Sequence, residues 1–153
     1  MKTTGSKIYR IVSILAVIGI MVIIFILSGQ DSQESSQTSG FVVDLLTRIF
    51  KNEVPHDLIR TAAHFSEYAV LAFFVNNASR AYNVRLFPLF SLIFSWAYAW
   101  TDEIHQIFVD GRAFQLFDLG VDLCGIILGT IIFKILIVII EKFSDKRKSS
   151  KNE

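Results

Sequence analysis

Residues 118–140 read DLGVDLCGIILGTIIFKILIVII. A bilayer needs about 20 apolar residues for a helical crossing, and this stretch supplies them. Its opening turns nevertheless carry two aspartates. Asp118, Asp122, Gly125 and Gly129 follow at steps of four, three and four, so on a helix they form one stripe. Glycines on a membrane helix let a neighbouring backbone come close. A charged group at membrane depth costs several kcal/mol even by the lower estimates, so it is kept there for pairing or for work. Lys134 lies toward the far end, where its stem can carry the ammonium to water.

Outward from this segment, three more stretches read as spans. Residues 11–27, IVSILAVIGIMVIIFIL, carry no charge and follow Lys2, Lys7 and Arg10. A cleavable signal peptide is the competing reading. The run is long for that, and its exit, Phe25 to Gln30, lacks a small-x-small site. Residues 28–40 have the Ser, Gln and Gly content of a loop. Val42, Leu45, Leu46, Ile49 and Phe50 then recur at helical spacing, with Asp44, Thr47, Arg48 and Lys51 opposite. That pattern predicts a short helix lying in the membrane surface. Pro55 suits the first turn of the next helix, and Pro88 the first turn of the one after. The expected architecture is an all-α membrane protein: four transmembrane helices plus a short interfacial amphipathic helix after helix 1. The spans fall at about 9–28, 58–79, 86–108 and 118–140, with the surface helix at about 41–51. A charged tail at 141–153 completes a single domain over 1–153.

Composition agrees. The chain is 52% hydrophobic with a net charge of +1, and its mean hydropathy is +0.50. No basic stripe with interleaved aromatics points to nucleic acid. The one cysteine, Cys124, has no partner for an internal disulfide and reads as a small packing residue. Basic residues set orientation. They occupy the N-terminus (Lys2, Lys7, Arg10), the link between helices 2 and 3 (Arg80, Arg85) and the C-terminal tail. Four spans place all three on one side, so the N- and C-termini are expected to be cytoplasmic, in the cell membrane.

With that topology, three helices carry ionisable groups to one depth in the outer leaflet. Arg60, His64, Glu67 and Tyr68 share a face of helix 2. Asp102, Glu103, His105 and Gln106 lie in the last turns of helix 3. Asp118 and Asp122 open helix 4, and Arg112 stands in the loop before it. The candidate acid/base residues are Glu67, His64, Asp102, Glu103 and His105. The candidate substrate-binding residues are Arg60, Tyr68, Gln106, Arg112, Asp118 and Asp122, with Arg112 suited to grip a phosphate or carboxylate. The same groups could simply pair and lock the bundle. Two histidines and several acids also match a divalent cation by ligand type, although the spacing is no known ligand motif. Metal content and oligomeric state stay open at this point. Trp96, Tyr98 and Trp100 read as an interfacial belt and helix packing.

The stretches His64-Phe65-Ser66-Glu67-Tyr68, Thr101-Asp102-Glu103-Ile104-His105-Gln106-Ile107-Phe108-Val109-Asp110-Gly111-Arg112 and Asp118-x-x-x-Asp122-x-x-Gly125-x-x-x-Gly129 resemble the VanZ-like family. Ser28-Gly29-Gln30 with Ser35 and Ser36 is similar to that family's stretch after helix 1, so the resemblance spans roughly 27–129. The chain departs from the pattern at Asp110, where proline is usual, and at Thr61, where many members carry lysine. The resemblance implies a bacterial membrane protein acting at the cell envelope. The family's founding member is linked to low-level resistance to teicoplanin without ligase chemistry. Expected partners are therefore membrane lipid and a lipid-linked cell-wall precursor or lipoglycopeptide. The alternative expectation is an intramembrane enzyme acting on a lipid-linked or phospho-headgroup substrate. A proton- or ion-coupled carrier fits least, because the polar groups stop partway across.

Overall fold

A computed structural model of the protein describes residues 6–30 and 55–149. These form four helices: α1 (Lys7–Ser28), α2 (His56–Ala81), α3 (Phe87–Gln106) and α4 (Leu116–Ser149). The expected surface helix at about 41–51 lies outside the described residues. Three of the four helices, α1, α2 and α4, are long and apolar enough to cross a membrane.

Local chemistry accounts for the helix ends. The Ser6 hydroxyl caps α1 by accepting the Tyr9 amide at 3.2 Å. Pro55 stands at the N-cap position of α2, where its carbonyl accepts the Leu58 and Ile59 amides, and Pro88 sits in the first turn of α3, where a missing amide hydrogen costs nothing. α3 meets loop at Ile107, slightly short of the expected end. α4 goes well beyond Ile140, because Glu141, Lys142 and their neighbours favour helix once the apolar run has nucleated it.

Cross-contacts define the helix directions. Near the start of α1, Tyr9 donates to Asn77 Oδ1 at 2.6 Å and Arg10 Nε to the Ala81 carbonyl at 3.1 Å, so α1 and α2 run antiparallel. At the opposite end, Arg112 Nε donates to the Gln30 carbonyl at 3.0 Å. Arg60 of α2 meets Asp118 of α4 at 2.9 Å, so these two helices start at the same end and run side by side. They form the most extensive helix pair. A Cβ at Gly125 would collide with the Phe65 carbonyl, and one at Gly129 with the Ala69 carbonyl. Only glycine lets these backbones approach so closely.

The surface and the interior have exchanged their usual roles. Large apolar side chains face outward along the helices, among them Ile8, Leu15, Ile23, Ile93 and Ile135. The interior holds a small apolar core around Val17, Ile24, Leu71, Ala72, Val75 and Ile126. Beside it lie buried polar groups. Toward the end of α2 and the start of α3, Asn76 Nδ2 lies 2.8 Å from Ser91 Oγ and 3.1 Å from Thr130 Oγ1, joining α2, α3 and α4. Tyr98 donates to the Met21 carbonyl at 2.7 Å and ties α3 to α1. Hydrogen bonds of this kind hold membrane helices together where no hydrophobic force between them is available.

Candidate functional site

The end of the bundle that contains the starts of α2 and α4 and the finish of α3 is where the ionisable side chains gather. His64 and Tyr68 are one turn apart on the inner face of α2 and both are buried. Asp102, Glu103 and Gln106 are buried on α3, and Asp118 and Asp122 on α4. Glu67 and Arg60 are half-buried beside them. Three helices thus bring Arg60, His64, Glu67, Tyr68, Asp102, Glu103, Gln106, Asp118 and Asp122 together in one largely buried polar cluster.

Two ion-pairing contacts order it. Arg60 Nη2 donates to Asp118 Oδ2 at 2.9 Å and to Gln106 Oε1 at 3.2 Å, so one guanidinium touches both α3 and α4. Deeper in, His64 Nδ1 lies 3.2 Å from Asp122 Oδ1. Gln106 Nε2 reaches Asp102 Oδ2 at 3.4 Å, a long and weak contact. Glu103 Oε2 accepts the backbone amide of Gln115 at 2.8 Å, which fixes its carboxylate under the loop leading into α4. Several buried atoms have no partner among the described residues: Asp102 Oδ1, Glu103 Oε1, Asp122 Oδ2 and the Tyr68 hydroxyl. One potential ligand atom from each of His64, Glu103 and Asp122 lies within 4.8 Å of the other two.

Arg112 sits on the rim, in the loop between α3 and α4. Its Nε is committed to the Gln30 carbonyl. Burial, then the neighbouring Arg60 guanidinium, pull its proton affinity below the ordinary arginine value, while Asp102, Asp118 and Glu67 oppose that shift. Arginine remains cationic through such changes. The loop turns at Gly111, whose φ of 73° lies in the left-handed region that favours glycine.

Two sequence-based expectations change here. His105, a candidate acid/base group, stands apart from His64, Glu103 and Asp122. Its ring stacks on Phe25 with centroids 4.4 Å apart, and its Cε1 lies against Gly29. Two residues along a helix are about 200° apart in direction, so Glu103 and His105 face different neighbours. Cys124 is exposed rather than packed. It lines an open apolar groove of about 670 Å³ with Leu58, Phe65, Phe117 and Val121, on the outer side of the α2–α4 seam. Of the aromatic set, Trp96 and Trp100 are exposed and in edge contact, whereas Tyr98 is an interhelix tie.

Asn76, Ser91, Ser95 and Thr130 form a buried polar layer that the sequence reading passed over. The signal was there: Asn76 interrupts an apolar run, and Ser91 and Ser95 lie one turn apart.

No curated protein and no solved structure matches the chain. A protein-family model described as VanZ/LLP1 matches residues 13–138, which take in most of α1, all of α2 and α3, the greater part of α4 and every residue of the buried polar cluster. This helical membrane protein therefore belongs to the VanZ/LLP1 family.

Proposed function

We propose that the chain is a four-span protein of the bacterial cytoplasmic membrane, with both termini cytoplasmic, that protects the envelope through an outward-facing polar chamber. α3 is the fourth span. Arg10 and Arg80, at the end of the bundle opposite Asp102, Asp118 and Asp122, support that orientation. The chamber engages the polar part of a lipid-linked cell-wall precursor or a neighbouring headgroup. That engagement reduces what teicoplanin-type lipoglycopeptides can reach. The observation that carries this reading is the meeting of Arg60, His64, Glu67, Asp102, Glu103, Asp118 and Asp122 from three helices at one end.

Expression in a sensitive Gram-positive host tests it. Teicoplanin susceptibility should fall while vancomycin susceptibility changes less, and Glu67→Gln should abolish the difference. An unaltered teicoplanin response, with the protein detected in the membrane, removes the reading.

A second reading is an intramembrane enzyme for a lipid-linked or phospho-headgroup substrate. It is favoured by the buried oxygens of Asp102, Glu103 and Asp122 that no structural pair consumes. Glu67 or Asp102 would serve as base, His64 as its acid/base partner and Arg112 as anion clamp. Lipid and wall-precursor profiles then differ between wild type and Glu67→Gln, and identical profiles count against catalysis.

A further inference from the structure

We propose that His64, Glu103 and Asp122 form a binding site for one divalent transition-metal cation of the Zn2+/Mn2+ class. The site goes beyond the envelope reading and does not depend on it. An imidazole and two carboxylates are the ligands such borderline cations take. A tetrahedral ion with bonds of about 2.0–2.2 Å holds neighbouring ligand atoms about 3.3–3.6 Å apart. His64 Nδ1 and Asp122 Oδ1 are already 3.2 Å apart. The full trio lies within 4.8 Å, so Glu103 has to close by no more than about 1.5 Å to complete the set.

Two further observations point to a cation. The first is unspent coordinating capacity in a buried place. Glu103 and Asp122 are fully buried, and each has one carboxylate oxygen without a partner among the described residues. The Tyr68 hydroxyl, also fully buried and without such a partner, belongs to the same electrostatic group as Asp102 and Asp122. It can donate to a water that completes the coordination. The second is charge. Five carboxylates, Glu67, Asp102, Glu103, Asp118 and Asp122, interact with one another across α2, α3 and α4. They face two guanidiniums, Arg60 and Arg112, and one imidazole. Arg60 is held by Asp118. A divalent cation between Glu103 and Asp122 offsets most of the remaining negative charge where water cannot. A ligand is also held in place from behind, since Glu103 Oε2 accepts a hydrogen bond from the Gln115 amide.

The test uses the full chain in detergent with Cys124→Ser, so that the exposed thiol takes no metal. After chelation and desalting, Zn2+, Mn2+ and Co2+ are titrated separately. The expected result is one equivalent bound per chain for at least one of them, with a rise in the thermal unfolding midpoint. Co2+ should add a visible ligand-field absorption. Glu103→Gln and Asp122→Asn should each weaken binding on the order of 100-fold, since outer-shell changes alone reach 10–100-fold, whereas Lys134→Gln should leave it unchanged. Failure of both the Cys124→Ser chain and the wild-type chain to bind any of the three at stoichiometry overturns the proposal, and the wild-type arm needs no variant to fold. Retention of full affinity by both carboxylate variants overturns it as well. Protons alone then neutralise the cluster.

Discussion

His64 Nδ1 meets a carboxylate oxygen of Asp122 at 3.2 Å, and the two side chains are 7% and 0% exposed. The contact joins α2 to α4 directly above the glycines where their backbones touch. The helices can approach closely there because small residues lie below the pair. The pair can stay buried because each member partly satisfies the other.

His64→Ala should leave Asp122 buried and without that partner. Breaking one side of a buried pair costs about 3–5 kcal/mol, whereas replacing both members with apolar groups can be close to neutral. Unfolding in detergent should therefore show a smaller loss for His64→Leu with Asp122→Leu than for His64→Ala alone. A double variant as unstable as the sum of the two single ones would contradict this coupling.

Gly129→Leu should separate α2 from α4, because the Cβ collides with the Ala69 carbonyl, which is backbone and cannot swing aside. Overpacking typically costs about 1–3 kcal/mol, and a backbone clash belongs at the upper end. Gly19 has open space around its Cβ position, so Gly19→Ala serves as the control and should keep wild-type stability. Thermal midpoints of the purified variants decide it.

The two arginine pairs should differ. Arg60 and Asp118 are 30% and 7% exposed, while Arg80 and Glu141 are 26% and 49% exposed. Glu141→Gln should cost no more than about 1 kcal/mol, less in high salt. Arg60→Gln should cost more, because it removes the partner of a buried carboxylate. Denaturation at low and high ionic strength separates the two cases.

Asn76→Ala should remove the tie among α2, α3 and α4 made through Ser91 and Thr130. Hydrogen bonds between membrane helices average about 0.6 kcal/mol and reach about 1.7. The loss should fall in that range and leave binding at the chamber unchanged, as metal titration of the variant would report.

Topology is open to labelling. In a Cys124→Ser background, Asp110→Cys should react with an impermeant maleimide in intact cells. Tyr82→Cys, exposed at the other end of the bundle, should react only after lysis. The reverse pattern would place the chamber on the cytoplasmic side.

Much of this arrangement is legible in the chain of residues. Uninterrupted apolar runs dictate helices, because in lipid a backbone must satisfy its own hydrogen bonds. The steps of four, three and four from Asp118 to Gly129 place acids and glycines on one stripe by helical geometry alone. That the stripe meets α2, and that His64 pairs with Asp122 rather than with Asp118, are matters of helix rotation and depth. Spacing along a single helix carries no information on either. Glu103 and His105 show the limit most clearly. Both are titratable and two residues apart, and only packing decides that Glu103 turns into the chamber while His105 lies on Phe25 of α1. Cys124 belongs to the same class: its apolar neighbours in sequence include both buried Ile126 and exposed Ile127, so an apolar context does not mean a buried one. Periodicity and hydropathy act within one segment and follow from covalent order. Which faces meet, and which polar atoms are left over to do chemistry, depends on contacts between segments and arises only when the helices pack.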